Sequence, residues 1–322
     1  MVQEAYALEQ ALEREVGRVI VGKAKQLRLM TAAILAGGHI LLDDLPGVGK
    51  TTLVKCLSRA LGCDAKRVQF TPDLLPSDVT GMNIFDRASG ELRRLPGPVM
   101  TNLFLADELN RAIPRTQAAL LEAMEERQVT LDGETTPLPR PFVVLATQNP
   151  VESETTFRLP AAQTDRFLMC LSLGYPDAAE ERQMLRLTGD RIPLDAVQPV
   201  TDAARLTALQ DALGEVRMTD AVEEYLVTLV RKTRSDPALR LGASPRATRA
   251  LYRAARALAA VSGRDYVTPD DIRELLQPVL CHRLTVSADA ALAGRTAADI
   301  LAALAESVPV PPAQAALFHG KE

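Results

Sequence analysis

The stretch Asp44-Leu45-Pro46-Gly47-Val48-Gly49-Lys50-Thr51 lies between an apolar run (Ile40, Leu41, Leu42) and a helix-like run from Thr52 to Leu61. A strand, a glycine-rich turn and a helix in that order build a concave anion site. Gly47 and Gly49 let the backbone turn through positive φ and aim N–H groups inward, and the helix start adds the positive end of its dipole. This is a phosphate-binding loop, running from Asp44 through Leu45, Pro46 and Val48 to Thr52. Lys50 would reach the β- and γ-phosphates of a nucleotide, and the Thr51 hydroxyl would complete the coordination of Mg²⁺. Asp44 stands where the strict pattern has its first Gly, so an ordinary glycine-rich turn with an exposed Lys stays open on this segment alone.

A chain of 322 residues is long enough to bury a large core, and two domains are expected. The net charge of −4 supplies no global basic field, so binding to nucleic acid or an anionic membrane is not indicated. Cys56, Cys63, Cys170 and Cys281 form no C-x-x-C pair, which points to buried free thiols in a reducing compartment. Met1 to Arg14 carries Glu4, Glu9 and Glu13 and no apolar leader segment, and no apolar run is long enough for a membrane span. A cytoplasmic protein is expected.

Up to about residue 173, short apolar strand candidates alternate with helices: His39–Leu42, Arg67–Phe70, Asn102–Ala106, Phe142–Thr147 and Phe167–Leu173. That alternation predicts a doubly wound parallel sheet with helices on both faces. Between the second and third candidates, Gly81 to Gly97 reads as an inserted hairpin. From Tyr175-Pro176 onward the pattern is helical only, with apolar residues three and four apart in Val222–Val230, Ala247–Val261 and Ile272–Leu280. Thr268-Pro269-Asp270-Asp271 is a strong helix start. The expected division is an α/β nucleotide-binding core over 1–175, a smaller all-α domain over 176–308, and a loosely held tail over 309–322.

Leu103 to Ala106 is an apolar run ending in Asp107-Glu108. In a doubly wound sheet the carboxyl end of a strand opens onto the ligand crevice. Asp107 would hold Mg²⁺, and Glu108 would orient and polarise the water that attacks the γ-phosphate. Asn149 follows another buried-type strand. Its amide could hold that water or the γ-phosphate, or Asn149-Pro150 could simply start a turn.

Taken together, Leu-Pro-Gly-Val-Gly-Lys-Thr, Ala-Asp-Glu-Leu-Asn-Arg-Ala (106 to 112), Thr-Gln-Ala-Ala-Leu-Leu-Glu-Ala-Met-Glu-Glu (116 to 126), Ala-Thr-Gln-Asn-Pro (146 to 150) and Asp-Arg-Phe-Leu (165 to 168) resemble the MoxR family of AAA+ ATPases. The resemblance runs from about Leu8 to Leu284, and even Asp44 fits it. It implies an AAA+ P-loop core with a helix-2 insert hairpin at Gly81 to Gly97, followed by an all-α lid domain. It also implies that Asn149 is the sensor-1 residue and that Arg166 is an arginine finger reaching a neighbouring subunit's γ-phosphate. Arg246, in Gly242-Ala243-Ser244-Pro245-Arg246, resembles a sensor-2 residue reading the nucleotide from the lid. Val21 and Gly22 match the segment beside adenine, although Lys23 departs from the usual Gln.

The resemblance thus implies an ATP hydrolase using ATP and Mg²⁺, assembled as a homo-oligomeric ring, a hexamer. Such a ring remodels or matures a client protein, often one with a von Willebrand factor A-type domain, and in some relatives inserts a metal cofactor. Two other classes share these motifs. A nucleic-acid motor or transcription-regulating ATPase would use a basic pore hairpin, for which Arg87, Arg93 and Arg94 are a hint. A regulatory scaffold that binds nucleotide with little turnover would have no need of Glu108.

Overall fold

The computed structural model describes residues 1–44, 47–86, 90–149, 157, 159–188 and 194–312. Leu45 and Pro46 of the phosphate loop, Arg87 in the hairpin and the tail from 313 lie outside the described residues. The chain opens with α1 (Val2–Val16) and α2 (Ala24–Leu35), then runs through β1 (Ile40–Asp43), α3 (Lys50–Ala60), β2 (Ala65–Gln69) and the short α4 (Pro76–Thr80). A hairpin of β3 (Gly81–Asp86) and β4 (Glu91–Pro96) precedes β5 (Leu103–Asp107) and α5 (Pro114–Glu126). After β6 (Gln128–Leu131) and β7 (Glu134–Pro137) come β8 (Val143–Gln148), α6 (Ala161–Thr164) and β9 (Met169–Leu171).

The five apolar runs of the sequence become one parallel sheet in the order β2-β5-β8-β1-β9. Side chains alternate between two cores, as period-two geometry demands. Ile40, Leu42, Leu105 and Leu145 enter one cluster, while Leu41, Phe104, Ala106 and Val144 enter the other. A parallel sheet with both faces apolar must be covered on both sides by helices. Because every strand runs the same way, Asp43, Gln69, Asp107 and Gln148 finish at one edge.

The insert hairpin forms in the expected place, with Gly81 opposite Pro96 and Asp86 opposite Glu91. A second hairpin, β6–β7, was not expected. It turns at Asp132-Gly133, both with positive φ (51° and 85°), the backbone that an Asp-Gly pair favours in two-residue turns. The two hairpins touch: Asn83 donates its side-chain amide to Asp132 at 2.7 Å, and Arg94 donates to Thr136.

The rest of the chain is mainly helical: α7 (Ala178–Thr188), α8 (Ala203–Ala212), α9 (Asp220–Lys232), α10 (Pro245–Val261), α11 (Pro269–Leu280), α12 (Ala288–Leu292) and α13 (Ala297–Ser307). A small ribbon, β10 (Leu239–Leu241) with β11 (Thr285–Val286), also forms. The caps read in the sequence are present, with Thr268 and Asp271 bonding each other's backbone in a capping box. The buried face of α10 is rich in alanine (Ala247, Ala250, Ala254, Ala257), which lets α1 and α2 approach closely. One hydrophobic cluster therefore runs from α1 and α2 into α10 and α11. The change of pattern near residue 175 separates kinds of secondary structure but not hydrophobic cores.

Two polar contacts pin this arrangement. Arg283, 5% exposed, donates to Asp165 Oδ1 (2.7 Å), to the Asp165 and Phe167 carbonyls (3.1 and 2.6 Å) and to Leu168 and Val279, tying the segment after α11 to the start of β9. His39, just before β1, accepts from the Val144 N–H at 2.9 Å through Nδ1, so Nε2 must carry the proton donated to the Met124 carbonyl at 3.2 Å.

Burial, and then the charge of Arg127, hold the His39 pKa well below 6.5. The unfolded chain therefore takes up a proton that the native chain refuses, and this contribution to stability is complete above the unfolded pKa and lost as pH falls below it. The unfolding free energy should fall with an added slope approaching about 1.4 kcal/mol per pH unit below about pH 6.5. His39→Gln, which keeps one donor and one acceptor but does not titrate, should remove that slope. Urea unfolding of both proteins between about pH 7 and pH 5 measures it, and equal slopes would contradict the assignment.

Candidate nucleotide site

The carboxyl edge of the sheet assembles the residues singled out in the sequence. Gly47 (φ 81°) and Gly49 (φ 86°) both take the left-handed backbone, and Gly49 caps α3. Among the described residues, no heavy atom outside the adjoining ones lies within 4 Å of the position a Cβ would take at either glycine. The turn is thus an open cradle facing the helix start, a shape that fits phosphate. Lys50 Nζ donates to the Asp44 carbonyl at 2.6 Å and the Gln148 carbonyl at 3.1 Å. Burial lowers its pKa, while Asp44, Asp107, Asp43 and Glu108 act in the opposite sense.

Asp44 is not among the positive-φ residues, so its position does not need a glycine. Its carboxylate accepts from the N–H groups of Leu173 and Gly174 (3.0 Å for Gly174), joining the end of β1 to the segment after β9. The departure from the strict loop pattern is a strut between neighbouring strands.

Asp107 closes β5 beside the cradle. Its Oδ2 accepts from Thr51 Oγ1 at 3.2 Å and from Arg67 at 2.7 and 3.0 Å, and its Oδ1 accepts from Thr147 Oγ1 at 2.6 Å. Burial would raise its pKa, but the bonds from Thr147 and Arg67, Arg67's charge and the Thr51 hydroxyl bring it below the usual carboxylate value. An ionised carboxylate and a hydroxyl side by side suit a hard cation. The Arg67 guanidinium already holds the Asp107 oxygen that faces Thr51, so a cation would have to displace it there.

Glu108 has φ 56° and ψ 48°, a strained backbone for a non-glycine residue and of a kind that collects at functional sites. Its Oε2 accepts from Gln69 at 2.6 Å and Arg111 at 2.9 Å, and its N–H donates to Thr147 Oγ1 at 2.8 Å. Arg67 and Gln69 are contacts that the sequence reading missed. They sit two apart on β2, hence on one face, and β2 pairs with β5 in register at Gln69 and Asp107. Asn149, 6% exposed, follows β8 at the same edge and accepts from Asn110 through its carbonyl at 3.3 Å. Val21 and Gly22 join Ile20 and Leu53 of α3 around a cavity of about 200 Å³.

Arg166 and Arg246 are elsewhere. Arg166 precedes β9 and Arg246 opens α10, and both line a cavity with Gly37, Gly38 and His39, which precede β1. That is the amino-terminal edge of the sheet, opposite the cradle. Both approach Glu125, Arg246 at 2.5 Å and Arg166 at 3.8 Å, while Arg166 also donates to the Leu121 carbonyl at 2.5 Å. The helix start is fixed there by Ser244, which donates to Asp165 at 3.3 Å. Arg246 therefore stands with Arg166 and away from its own chain's Lys50.

A phosphate cradle, two strand-end acids and a helical second half define a P-loop ATPase with a lid. The family model for the ATPase family associated with various cellular activities (AAA) matches residues 39–169, and that for the AAA lid domain matches 231–305. The chain is 41% identical over 299 residues to the chaperone MoxR1 of Mycobacterium tuberculosis, covering 90% of this chain and 78% of that one. It is 35% identical to the protein MoxR of Methylorubrum extorquens, covering 93% and 94%, and 49% identical to the uncharacterized protein YeaC of Bacillus subtilis, covering 92% of each. A crystal structure from Cytophaga hutchinsonii, provisionally named an ATPase, superposes with a TM-score of 0.89 at 36% identity, covering 97% of both chains. The chain belongs to the MoxR family of AAA+ ATPases.

Asp44→Ala should leave two backbone N–H groups between β1 and β9 without their acceptor. A loss of about 1–3 kcal/mol is expected from the urea midpoint, with Asp44→Asn losing less because its amide oxygen still accepts. Equal losses in the two variants would show that the strut does not work through that acceptor.

Proposed function

We propose that the chain hydrolyses ATP with Mg²⁺ in a homo-oligomeric ring and uses that energy to remodel or mature a partner protein. The observation that carries this reading is the division of the chemistry between opposite edges of one sheet. Lys50, Thr51, Asp107, Glu108 and Asn149 gather at the carboxyl edge, whereas Arg166 and Arg246 are presented at the other. A single subunit then holds two half-sites, and stacking copies head to tail would complete each nucleotide site with a neighbour's arginines. The expectation that Arg246 serves its own nucleotide gives way here to the proposal that it acts across the interface beside Arg166.

Within a subunit, the loop N–H groups and Lys50 bind the phosphates. Thr51 and Asp107 would hold the magnesium ion, which neutralises phosphate charge when bound. Glu108 takes up the role of positioning and polarising the attacking water once it leaves Gln69 and Arg111. Arg166 delivered in trans stabilises charge on the transferring group, an effect worth about 10³ to 10⁵ in rate in comparable enzymes.

Two features support work on a protein client over nucleic-acid transport. The insert hairpin leaves Met82, Ile84, Phe85 and Leu95 exposed, an apolar surface suited to polypeptide. The name chaperone MoxR1, borne by one relative, agrees with such a role. Among the described residues no helix is long and apolar enough to cross a membrane.

Glu108→Gln should cut turnover by about 10² or more while nucleotide binding is retained, as read by phosphate release and by a fluorescent nucleotide. Parental turnover in the variant would remove Glu108 from the mechanism. A second measurement tests sharing between subunits. Mixing Lys50→Ala chains, which keep Arg166, with Arg166→Ala chains should restore activity that neither has alone. No rescue at any mixing ratio would place Arg166 outside a shared site.

A further inference from the structure

A cleft of about 400 Å³ lies at the amino-terminal edge of the sheet, away from the nucleotide cradle. One wall is Gly37, Arg127, Arg140 and Phe142 from the core, and the other is the Gln210–Gly214 stretch with Arg253 and Arg256 of α10. Four arginines from three separate parts of the chain thus meet in one concavity. Among the described residues, Asp211 is the one acid lining it, and Asp211 is taken by Arg140 at 2.6 Å.

The other three guanidiniums bond to backbone carbonyls. Arg127 donates to Gly37 (2.5 Å) and Phe142, Arg253 to Ala36, and Arg256 to Val216 (2.5 Å) and Gly214. Among the described residues, none of the three pairs with a carboxylate. Carbonyl dipoles orient a guanidinium and satisfy some of its five donors, but they leave its charge uncompensated. Burial, followed by repulsion from Arg253 and Arg140, lowers the Arg127 pKa to about 10. Like charges held together in a cleft are stabilised by an anion, and guanidinium forks match phosphate and carboxylate oxygens two at a time.

We infer that this cleft is a second ligand site of the chain, taking a small molecule with two or more phosphoryl or carboxylate groups. Its volume falls within the ordinary range for small-molecule sites. It adjoins the cavity that holds Arg166 and Arg246, sharing Gly37, Arg127 and Arg253, but those two arginines are not part of its lining. Because its walls come from the core and from α10, an occupant bridges them and restrains one against the other.

The test uses the full chain carrying Lys50→Ala, which weakens the phosphate loop as a competing anion site. Inorganic tripolyphosphate and citrate are titrated in turn by calorimetry at about 0.15 M salt, where a diffuse basic surface is screened. Saturable one-to-one binding of at least one probe is expected, weakened about tenfold or more by Arg253→Gln and by Arg256→Gln and unaffected by Arg166→Gln. The tighter probe identifies the group as phosphoryl or carboxylate. Circular dichroism of each variant confirms folding, and Arg140→Gln, at an exposed position, gives an independent reading in the same direction. The inference is overturned if neither probe saturates, if binding survives both α10 substitutions, or if it is lost with Arg166→Gln, which would assign it to the adjoining cavity.

Discussion

The fully buried guanidinium of Arg283 is the contact on which the arrangement of this molecule most depends. A charge out of water is tolerated only when paired and fully hydrogen-bonded, and Arg283 meets both conditions through Asp165 and a ring of carbonyls. Those partners belong to the start of β9, whereas Arg283 follows α11. The bond set therefore fixes where the helical second half meets the sheet. Asp165 also receives Ser244, the cap of α10, so the same carboxylate positions Arg246. Arg166 is the next residue after Asp165. One ion pair thus brings Arg166 and Arg246 together.

The opposite edge is held by a different economy of charge. Asp107 and Glu108 face Arg67 and Gln69, two positions on one face of the edge strand β2, and Lys50 rests on carbonyls. Lys50, Asp107 and Glu108 each have partners before any ligand enters. The Arg67 guanidinium lies on the carboxylate oxygen that also receives Thr51, so a metal ion would have to compete with it. Binding at this edge is an exchange of partners, which links occupancy of the cradle to the position of β2. The left-handed backbone at Glu108 keeps its carboxylate turned toward that strand.

Much of this was legible in the chain. Five strand candidates became the five strands, with ends displaced by one or two residues; four are buried parallel strands that need apolar sequence, while the edge strand β2 (Ala-Lys-Arg-Val-Gln) is largely exposed. The hairpin at Gly81 to Gly97 and the helix start at Thr268 likewise rest on local signals. The second hairpin carries a weak signal although Asp132-Gly133 marks its turn: β6 alternates over only four residues, with Val129 buried, and β7 is polar and mostly exposed. Asp44 looked like a defect in the loop pattern, and its use became visible only when Leu173 and Gly174, about 130 residues away, were placed at its carboxylate. Arg67 and Gln69 gave no signal in isolation, because their meaning depends on which strand lies beside β2.

The sequence by itself determined the sheet's composition, the chemistry of the cradle and the order of the motifs, because glycine geometry, strand patterning and helix caps act over a few residues. Only the tertiary structure decided which end of the sheet each charged group occupies. It set Arg246 beside Arg166 and away from Lys50, joined α1 and α2 to the core of the helical half, and gathered arginines from distant segments into one cleft. The physical reason is that strand order and helix packing are fixed by burying apolar surface over the whole chain. Polar residues brought to the edges by that burial acquire their partners from it.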